Sequence, residues 1–281
     1  MKNFFCFTIA SLFFFANAYS QGTKVMFAMD DLNKSSEHSL FTNGLSECKL
    51  VYGDFINPKN SDTLVTSVFI KEINRLFPNP QDNGFCALDW EGKVYDRLFK
   101  DNVSDEDFNK SLVQFTKAIA LAKKLRPNVK WGFWGIPGYY FKMSHEKRLQ
   151  PLFRQVDVIF PELYVRDPKI SFDKTRLANS IELGRKYDKL VYPFVWNRIT
   201  SLDARYRHRL ISDKDFLNYV NAILKFKSQG KKIEGVVWWG RDSWFYKAYK
   251  TAAHEAPDFE TFQKQYFQRV STYSKELGRL K

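Results

Sequence analysis

Two carboxylates, one residue apart, close a short apolar segment in the first half of the chain. The segment begins at Gly84 and runs through Phe-Cys-Ala-Leu into Asp89, Trp90 and Glu91. An apolar run of this length, bounded by proline and glycine residues, is typical of a buried strand. Because side chains alternate along a strand, we expect Asp89 and Glu91 on one face and Trp90 on the other. Acids at the carboxyl end of such a strand are placed for catalysis in α/β enzymes, whereas a solvated acidic loop is the alternative.

Strand and helix patterns alternate along the rest of the chain. Strands are predicted at 24–29, 50–55, 84–91, 130–137, 156–164, 190–196 and 235–240. Helices are predicted at 63–76, 104–125, 147–153, 175–187, 213–229 and 259–280. The helix at 104–125 has the clearest pattern, because Ser104 can cap it, acids follow in its first turn and apolar residues recur with a period near 3.6.

This alternation predicts an α/β fold, a distorted TIM-like (β/α) barrel with about seven parallel strands. Strands separated by helices of crossover length form a parallel sheet with helices outside it. An open, doubly wound sheet is the second candidate, but no glycine-rich phosphate-binding motif follows any strand. Residues 21–281 are expected to form a single catalytic barrel domain.

A secretory signal peptide is predicted at residues 1–20. A short basic start precedes an apolar run at residues 4–15, and small residues suited to cleavage follow. No other segment approaches the length of a transmembrane helix, so we expect a secreted or periplasmic protein without a membrane span. In an oxidising compartment Cys48 and Cys86 could form a disulfide or remain two separate buried thiols.

The chain is strongly basic and rich in aromatic residues. Its formal net charge is +13, from 44 Lys and Arg against 31 Asp and Glu, and 17% of its residues are aromatic, including 7 Trp. For an exported protein, an acidic polysaccharide is a more natural partner than nucleic acid, although general surface basicity is the alternative. Aromatic rings stack on sugars but also fill cores. The oligomeric state is not specified by these features.

The carboxyl ends of barrel strands meet at one rim, where acidic and aromatic residues would collect. The residues at these ends are Asp30, Asp31, Asp89, Glu91, Tyr139, Tyr140, Glu162, Tyr164, Trp196, Asn197, Arg198, Trp238, Trp239, Arg241 and Asp242. None of the 4 His residues falls at a strand end, which disfavours a His-based metal site and a Ser-His-Asp triad. No metal or cofactor is therefore predicted. Two acids in an aromatic cleft indicate glycoside hydrolysis.

The two carboxylates would divide the chemistry between them. One must be protonated to donate to the leaving oxygen, and burial beside a second carboxylate raises its pKa. Glu91 is the expected proton donor and Asp89 is expected to stay ionised, with one proton shared by the pair. If the sugar carries a 2-acetamido group, the carbonyl oxygen of that group can attack the anomeric carbon, and no protein nucleophile is needed. The hydroxyl of Tyr164 could hold this oxygen.

Four segments resemble the animal-type hyaluronidases, glycoside hydrolase family 56. The proline-rich lead-in and the apolar run into Asp-Trp-Glu at 77–91 resemble the catalytic strand of that family. The Leu-Arg-Pro helix end and the strand after it at 125–137, Phe-Pro-Glu-Leu-Tyr at 160–164 and Gly-Val-Val-Trp-Trp-Gly at 235–240 are similar to further blocks, in the same order. The resemblance implies a distorted seven-stranded barrel and a retaining, substrate-assisted endo-hexosaminidase that acts on hyaluronan and often chondroitin.

The same resemblance implies roles for individual residues. Glu91 becomes the general acid and Asp89 the residue that orients the acetamido group. Tyr164 contacts that group and Trp239 lies under the sugar; Trp238 is the alternative, because only one of the two neighbours can face inward. The other predicted substrate-binding residues are Trp196, Tyr139 and Arg198, the last as a candidate for binding uronate carboxylates.

The chain also departs from the family pattern. A tyrosine expected shortly after Trp196 is absent until Tyr206, Glu162 stands in place of a serine, and the cysteine pattern of the family is missing. Two other functions therefore stay open. One is a glycosidase on the same barrel that acts on another glycan. The other is a non-catalytic glycan-binding protein, which the intact pair Asp89 and Glu91 disfavours, because a binder needs no general acid.

Overall fold

Parallel strands form the centre of the molecule. The computed structural model describes residues 24–29, 32–59, 62–248 and 255–280. The strands are β1 (Lys24–Met29), β2 (Ser46–Tyr52), β3 (Gly84–Asp89), β4 (Val129–Phe133), β5 (Val158–Ile159), β6 (Leu190–Val191), β7 (Phe194–Trp196) and β8 (Gly235–Gly240). Six of them form one parallel sheet in the order β4-β3-β2-β1-β8-β7, and β5 pairs with β6 in parallel. The predicted signal peptide lies outside the described residues.

Single parallel bridges join the two sheets into a ring. Trp134 bridges to Phe160, and Glu162 bridges to Phe194. Since β6 and β7 are two parts of one extended stretch, the ring has seven strand positions. The prediction of a distorted barrel with about seven parallel strands is confirmed. The predicted strands at 156–164 and 190–196 are shorter in the structure, because each contains a proline that cannot donate a hydrogen bond to its neighbour.

Residues on successive positions of each strand face opposite sides of the barrel wall. In β1, Met26 and Ala28 belong to the cluster inside the barrel, whereas Phe27 packs outward against helices. Cys48 and Cys86 lie on neighbouring strands but on opposite faces, so they do not form a disulfide, and both are free and buried. Burial raises the pKa of both thiols. The open question about this cysteine pair is thereby answered.

Helices cover the outer face of the barrel. They are α1 (Lys34–Thr42), α2 (Gly53–Ile56), α3 (Thr66–Leu76), α4 (Lys93–Phe99), α5 (Asp105–Leu125), α6 (Glu146–Gln155), α7 (Lys174–Tyr187), α8 (Asp213–Lys225), α9 (Asp242–Ala248) and α10 (Phe259–Gly278). The side chain of Ser104 caps α5, as predicted, and the side chain of Ser212 caps α8. Among the helices in the described ranges, none is long and apolar enough to cross a membrane.

Four helices were absent from the sequence prediction, namely α1, α2, α4 and α9, and α2 overlaps the strand predicted at 50–55. α1 lies in a segment that predicted a loop with at most one helical turn, because it buries only Ser36 and Leu40 and has little apolar periodicity. Asn33 nevertheless caps it by accepting a hydrogen bond from the backbone of Ser36. The short helices α4 and α9 follow the ends of β3 and β8, where only loops were expected. Both lie beside the strand ends that carry the candidate site residues.

Gly132 in β4 allows the close approach of β4 and β5. A Cβ atom at this position would lie 2.2 Å from the carbonyl oxygen of Val158 and 2.8 Å from Cδ2 of Phe160. The first contact is with backbone of the neighbouring strand, which cannot move away without disturbing the barrel wall. The absence of a side chain at Gly132 therefore makes room for Phe160 inside the barrel.

We expect Gly132→Ala to lower the free energy of unfolding by about 2 kcal/mol or more, because overpacking against fixed backbone is costly. Urea denaturation followed by circular dichroism measures this loss. Gly240→Ala is the matched control, since a Cβ there would meet Met29 at 3.6 Å, an ordinary contact. Equal stability losses in the two variants would contradict this account of the barrel wall.

Candidate active site

The inner faces of the strands bring six side chains together at the carboxyl end of the barrel. They are Tyr52, Asp89, Trp134, Tyr164, Trp196 and Trp239. The positions two residues earlier on β2, β3 and β8 are Leu50, Ala87 and Val237, which belong to the cluster inside the barrel. The period of two along each strand therefore places the next inward residue above this cluster. With Glu91, the six side chains line a pocket of about 600 Å³.

Aromatic rings form one wall of this pocket. The ring of Tyr164 stacks on Trp239 at 5.8 Å between centroids and 24° between planes. Trp196 meets Trp239 edge to face at 4.8 Å, and Nε1 of Trp134 donates a hydrogen bond of 3.3 Å to the hydroxyl of Tyr164. Such a wall presents ring faces on which a sugar can stack.

The structure places Trp239, and not Trp238, in the pocket. Trp238 points outward from β8, where its ring lies 6.0 Å from Phe216 on α8 and 5.3 Å from Tyr273 on α10. It is almost completely buried in this outer core. Alternation along β8 therefore assigns the two neighbouring tryptophans to different functions, packing for Trp238 and pocket lining for Trp239.

The carboxylate pair lies where β3 ends. The strand stops at Asp89, so Glu91 lies in the following turn rather than on the strand as predicted. Between them, Trp90 is 2% exposed and stacks on Phe115 of α5 with ring centroids 5.0 Å apart. This buried ring fixes the turn from the outside. Asp89 and Glu91 therefore both line the pocket, Asp89 at the strand end and Glu91 nearer to solvent.

Asp89 is a buried carboxyl with one unsatisfied oxygen. Burial and, second, the charge of Glu91 raise the pKa of Asp89 to about 8, although the charge of Arg241 opposes the rise. Among the described residues, none forms a hydrogen bond with its Oδ1 atom. The expectation that Asp89 stays ionised is therefore wrong for the pocket without substrate.

The surroundings of Glu91 raise the pKa of its carboxyl as well. Part of its surface is exposed, yet partial burial raises its pKa, and the carboxylates of Glu162 and Asp96 add to the rise. Glu162 stands where the resembling family has a serine, and it forms an ion pair of 2.7 Å with Arg166. Together with the high pKa of Asp89, this means that the pair retains a proton at neutral pH.

Several pocket residues were not predicted from the sequence or were predicted without a specific role. Tyr52 is the last residue of β2, but the sequence placed this strand at 50–55 and so hid its strand-end position. The guanidinium of Arg241 lies 4.3 Å from the ring of Tyr52 and 5.2 Å from the ring of Trp244 on α9. The ring of His208 also lines the pocket. Asp30 and Asp31, which were expected at the rim, lie outside the described residues.

Tyr139 lies outside the pocket. Its ring is 54% exposed in a separate surface cleft, which it shares with Tyr140 and Phe99. The guanidinium groups of Arg166 and Arg176 lie 4.5 Å and 4.6 Å from the centre of this ring. The loop after β4 turns away from the barrel axis, so the predicted contact of Tyr139 with a sugar in the pocket is not supported.

Arg198 was predicted to bind substrate, and this prediction is wrong. Its side chain has no exposed surface. Nη2 lies 3.1 Å from Oδ2 of Asp242, and Nη1 lies 2.6 Å from Oε1 of Glu255. Nη1 also donates to the carbonyl oxygen of His208 at 3.0 Å. Arg198 therefore supports the segment that carries His208 from behind the pocket wall.

The described residues offer no other chemistry in this pocket. In these ranges no group of three or more His, Cys, Asp or Glu side chains is placed to hold a metal ion. Burial, with the charges of Arg207 and Arg198, lowers the pKa of His208. The groups that can transfer a proton at the pocket floor are the carboxyls of Asp89 and Glu91.

Comparisons with known proteins relate the chain to hyaluronidases. No family model matches it. Hyaluronidase A of Vespula vulgaris is 23% identical over 183 residues, which is 48% of this chain and 55% of that protein. Hyaluronidase B of Vespa velutina is 23% identical over 177 residues, 46% of this chain and 53% of that protein. Inactive hyaluronidase B of Vespula vulgaris is 20% identical over 251 residues, 72% of this chain and 70% of that protein.

The barrel itself has a close structural counterpart. Bee venom hyaluronidase superimposes with a TM-score of 0.60 over 89% of this chain and 100% of that chain, at 13% identity. The same protein in complex with a hyaluronic acid tetramer superimposes with a TM-score of 0.60 over 91% of this chain and 99% of that chain, at 14% identity. Fold and pocket together define a hyaluronidase-like barrel. The chain resembles the hyaluronidases in fold and, at low identity, in sequence, and it spans about half the length of the first wasp protein that it matches.

The raised pKa of Asp89 predicts a pH dependence of stability. A carboxyl with a higher pKa in the folded protein binds more protons there than in the unfolded chain, so its contribution to stability falls as pH rises from about 4 to about 8. For the wild type this contribution to the free energy of unfolding should fall by up to about 1.4 kcal/mol per pH unit in this window. Asp89→Asn should remove the fall. Urea denaturation of both proteins between pH 5 and pH 8 measures it. Parallel stability curves would contradict the raised pKa.

The buried network of Arg198 predicts a large structural effect. Arg198→Gln should lower the free energy of unfolding by about 3 kcal/mol, because it leaves the buried carboxylate of Asp242 without its main partner. Arg205→Gln, which removes an exposed arginine paired with Asp203, should change the free energy of unfolding far less. If thermal or urea unfolding shows Arg198→Gln to be as stable as the control, Arg198 has no such supporting function.

Proposed function

We propose that the protein is a secreted glycoside hydrolase that cleaves N-acetylhexosaminidic bonds in an acidic polysaccharide of the hyaluronan or chondroitin type. The observation that carries this proposal is the proton-retaining pair Asp89 and Glu91 in a pocket walled by aromatic rings. The names of the relatives and the complex of the bee venom protein with a hyaluronic acid tetramer support the choice of substrate. The basic net charge of +13 suits a polyanionic partner.

In the proposed first step, Glu91 donates its proton to the glycosidic oxygen while the carbonyl oxygen of the 2-acetamido group attacks the anomeric carbon. The glycosidic bond breaks, and a cyclic oxazolinium ion forms within the sugar. In the second step the carboxylate of Glu91 takes a proton from water, and the resulting hydroxide opens the ring at the anomeric carbon. Two displacements at one carbon retain its configuration.

Asp89 orients the acetamido group in this proposal. Its buried Oδ1 has no hydrogen-bond partner among the described residues, and the amide N–H of the substrate would supply one. A hydrogen bond to the ionised carboxyl favours the charged form, and the positive charge of the oxazolinium ion favours it further. Substrate binding therefore shifts the proton of the pair from Asp89 to Glu91, where it is needed.

The aromatic wall supplies the remaining contacts. Burial raises the pKa of Tyr164 well above its usual value, so its hydroxyl stays protonated and can donate a hydrogen bond to the acetamido oxygen. Trp239, supported by the buried ring of Trp196, forms the surface on which the N-acetylhexosamine ring would rest. These contacts would hold the acetamido oxygen close to the carbon that it attacks, which accelerates the reaction by proximity.

Two alternative functions can be distinguished from this proposal by experiment. A glycosidase for another N-acetylhexosamine glycan would use the same pair on a different polymer. A non-catalytic glycan-binding protein is the second alternative, and one relative, which matches 72% of this chain, is named an inactive hyaluronidase. The retained pair with its raised pKa values favours catalysis, because two adjacent acids with raised pKa values are typical of a catalytic site and are not needed by a protein that only binds.

Glu91→Gln should reduce the release of reducing ends from hyaluronan and chondroitin about a thousandfold, because it removes the general acid and keeps the shape of the side chain. Glu106→Gln is the control, since Glu106 is an exposed residue paired with Lys110 on α5. Reducing ends are measured on a panel that includes chitin oligosaccharides. Equal background from wild type and Glu91→Gln on every glycan would exclude hydrolysis of these glycans, whereas activity confined to chitin would indicate the other glycosidase.

A further inference from the structure

Arg241 occupies a distinctive place in the pocket. It directly follows β8, and its guanidinium lies 4.3 Å from the centre of the Tyr52 ring and 5.2 Å from the centre of the Trp244 ring. Its charge acts on the carboxyl of Asp89. Of the described residues that line this pocket, Arg241 is the only lysine or arginine.

The other charged groups of the same lining are acidic. Asp54 lines the pocket together with the pair Asp89 and Glu91. The pocket thus differs from the protein as a whole, whose net charge is +13. A neutral sugar could enter this pocket without electrostatic repulsion. A negatively charged substituent would be repelled by the carboxylates unless a cation lay beside it. The place of Arg241 therefore decides where a negative charge on the glycan can be accommodated.

The surroundings of Arg241 also suit recognition of a carboxylate. A guanidinium presents planar, paired N–H donors that match the two oxygens of a carboxylate. The flanking rings of Tyr52 and Trp244 restrict its orientation and reduce its contact with water, and both effects strengthen a charged hydrogen bond. The ring of Trp244 is 42% exposed, so this part of the site opens toward solvent, where a polymer would continue.

We propose, on the basis of the proposed function, that Arg241 determines specificity by binding the carboxylate of the uronic acid next to the N-acetylhexosamine whose bond is cleaved. The residue then selects alternating uronate-containing polymers against neutral N-acetylhexosamine polymers. Whatever other interactions the side chain makes, this assignment rests on its position in the pocket and on the acidity of the remaining lining.

The test compares two polymers that differ only in charge. Hyaluronan and carboxyl-reduced hyaluronan have the same linkages, but the reduced form carries glucose in place of glucuronate. For wild type we expect kcat/KM to be higher on hyaluronan. Arg241→Gln should lower the ratio of kcat/KM on hyaluronan to that on the reduced polymer about tenfold or more, as expected for the loss of a charged hydrogen bond. Arg241→Lys should restore part of the ratio, because it keeps the charge but not the paired donors.

The ratio of kcat/KM on the two polymers distinguishes recognition of the carboxylate from an indirect effect of Arg241 on catalysis. Because Arg241 also influences Asp89, its loss can slow hydrolysis of both polymers, but such an effect cancels in the ratio. Arg205→Gln removes an equal charge from the exposed surface and should leave the ratio unchanged. An unchanged ratio in Arg241→Gln, or a wild type that prefers the reduced polymer, would overturn the proposal.

A binding experiment keeps this proposal distinct from the proposed function. If wild type cleaves neither polymer, the proposed function fails for these substrates, and calorimetry with hyaluronan oligosaccharides and their carboxyl-reduced forms then tests Arg241 alone. Tighter binding of the charged oligosaccharides by wild type, lost in Arg241→Gln, supports the assignment. Equal binding of both forms by wild type refutes it. Circular dichroism of each variant verifies that it is folded.

Discussion

The alternation of side chains along parallel strands is the constraint on which the site depends. In a closed barrel, every second residue of each strand must face the interior, and residues at equal heights form layers. One layer combines small and large residues, such as Ala87 and Gly132 beside Phe160 and Phe194, and so fills the barrel. The next layer toward the carboxyl ends cannot be filled in the same way, because the strands end there. Its side chains line the pocket instead.

This layer places a carboxyl where water is largely excluded, and the chemistry follows from that position. Asp89 continues the inward series of β3, so the geometry that buries Ala87 also places the Oδ1 atom of Asp89 out of contact with solvent. Glu91 does not continue this inward series, because Trp90 packs outward on Phe115 and the chain then turns. One carboxyl is thus held inside and the other at the entrance. That asymmetry allows two similar acids to perform different functions in the proposed mechanism.

The sequence predicted what depends on local patterns and missed what depends on distant contacts. The barrel and the position of β3 follow from apolar runs between breakers, and alternation predicts that one of Trp238 and Trp239 faces inward. Arg198 also follows a strand, but its partners Asp242 and Glu255 come from segments more than 40 residues further along the chain, and no local signal predicts such an ion pair. The pKa of Asp89 likewise depends on burial by the whole barrel. A strand boundary misplaced by three residues sufficed to hide Tyr52.

In the proposed mechanism the acetamido group of the substrate, and not a protein carboxylate or a directly attacking water, reaches the anomeric carbon first. Proton NMR of the sugar released during the first minutes of hydrolysis tests it most directly, because the β and α anomers of N-acetylhexosamine give separate signals before mutarotation mixes them. The account predicts that the β anomer appears first, with retained configuration, and that mass spectrometry detects no glycosylated protein. Initial release of the α anomer, or a covalent adduct on Asp89, would contradict it.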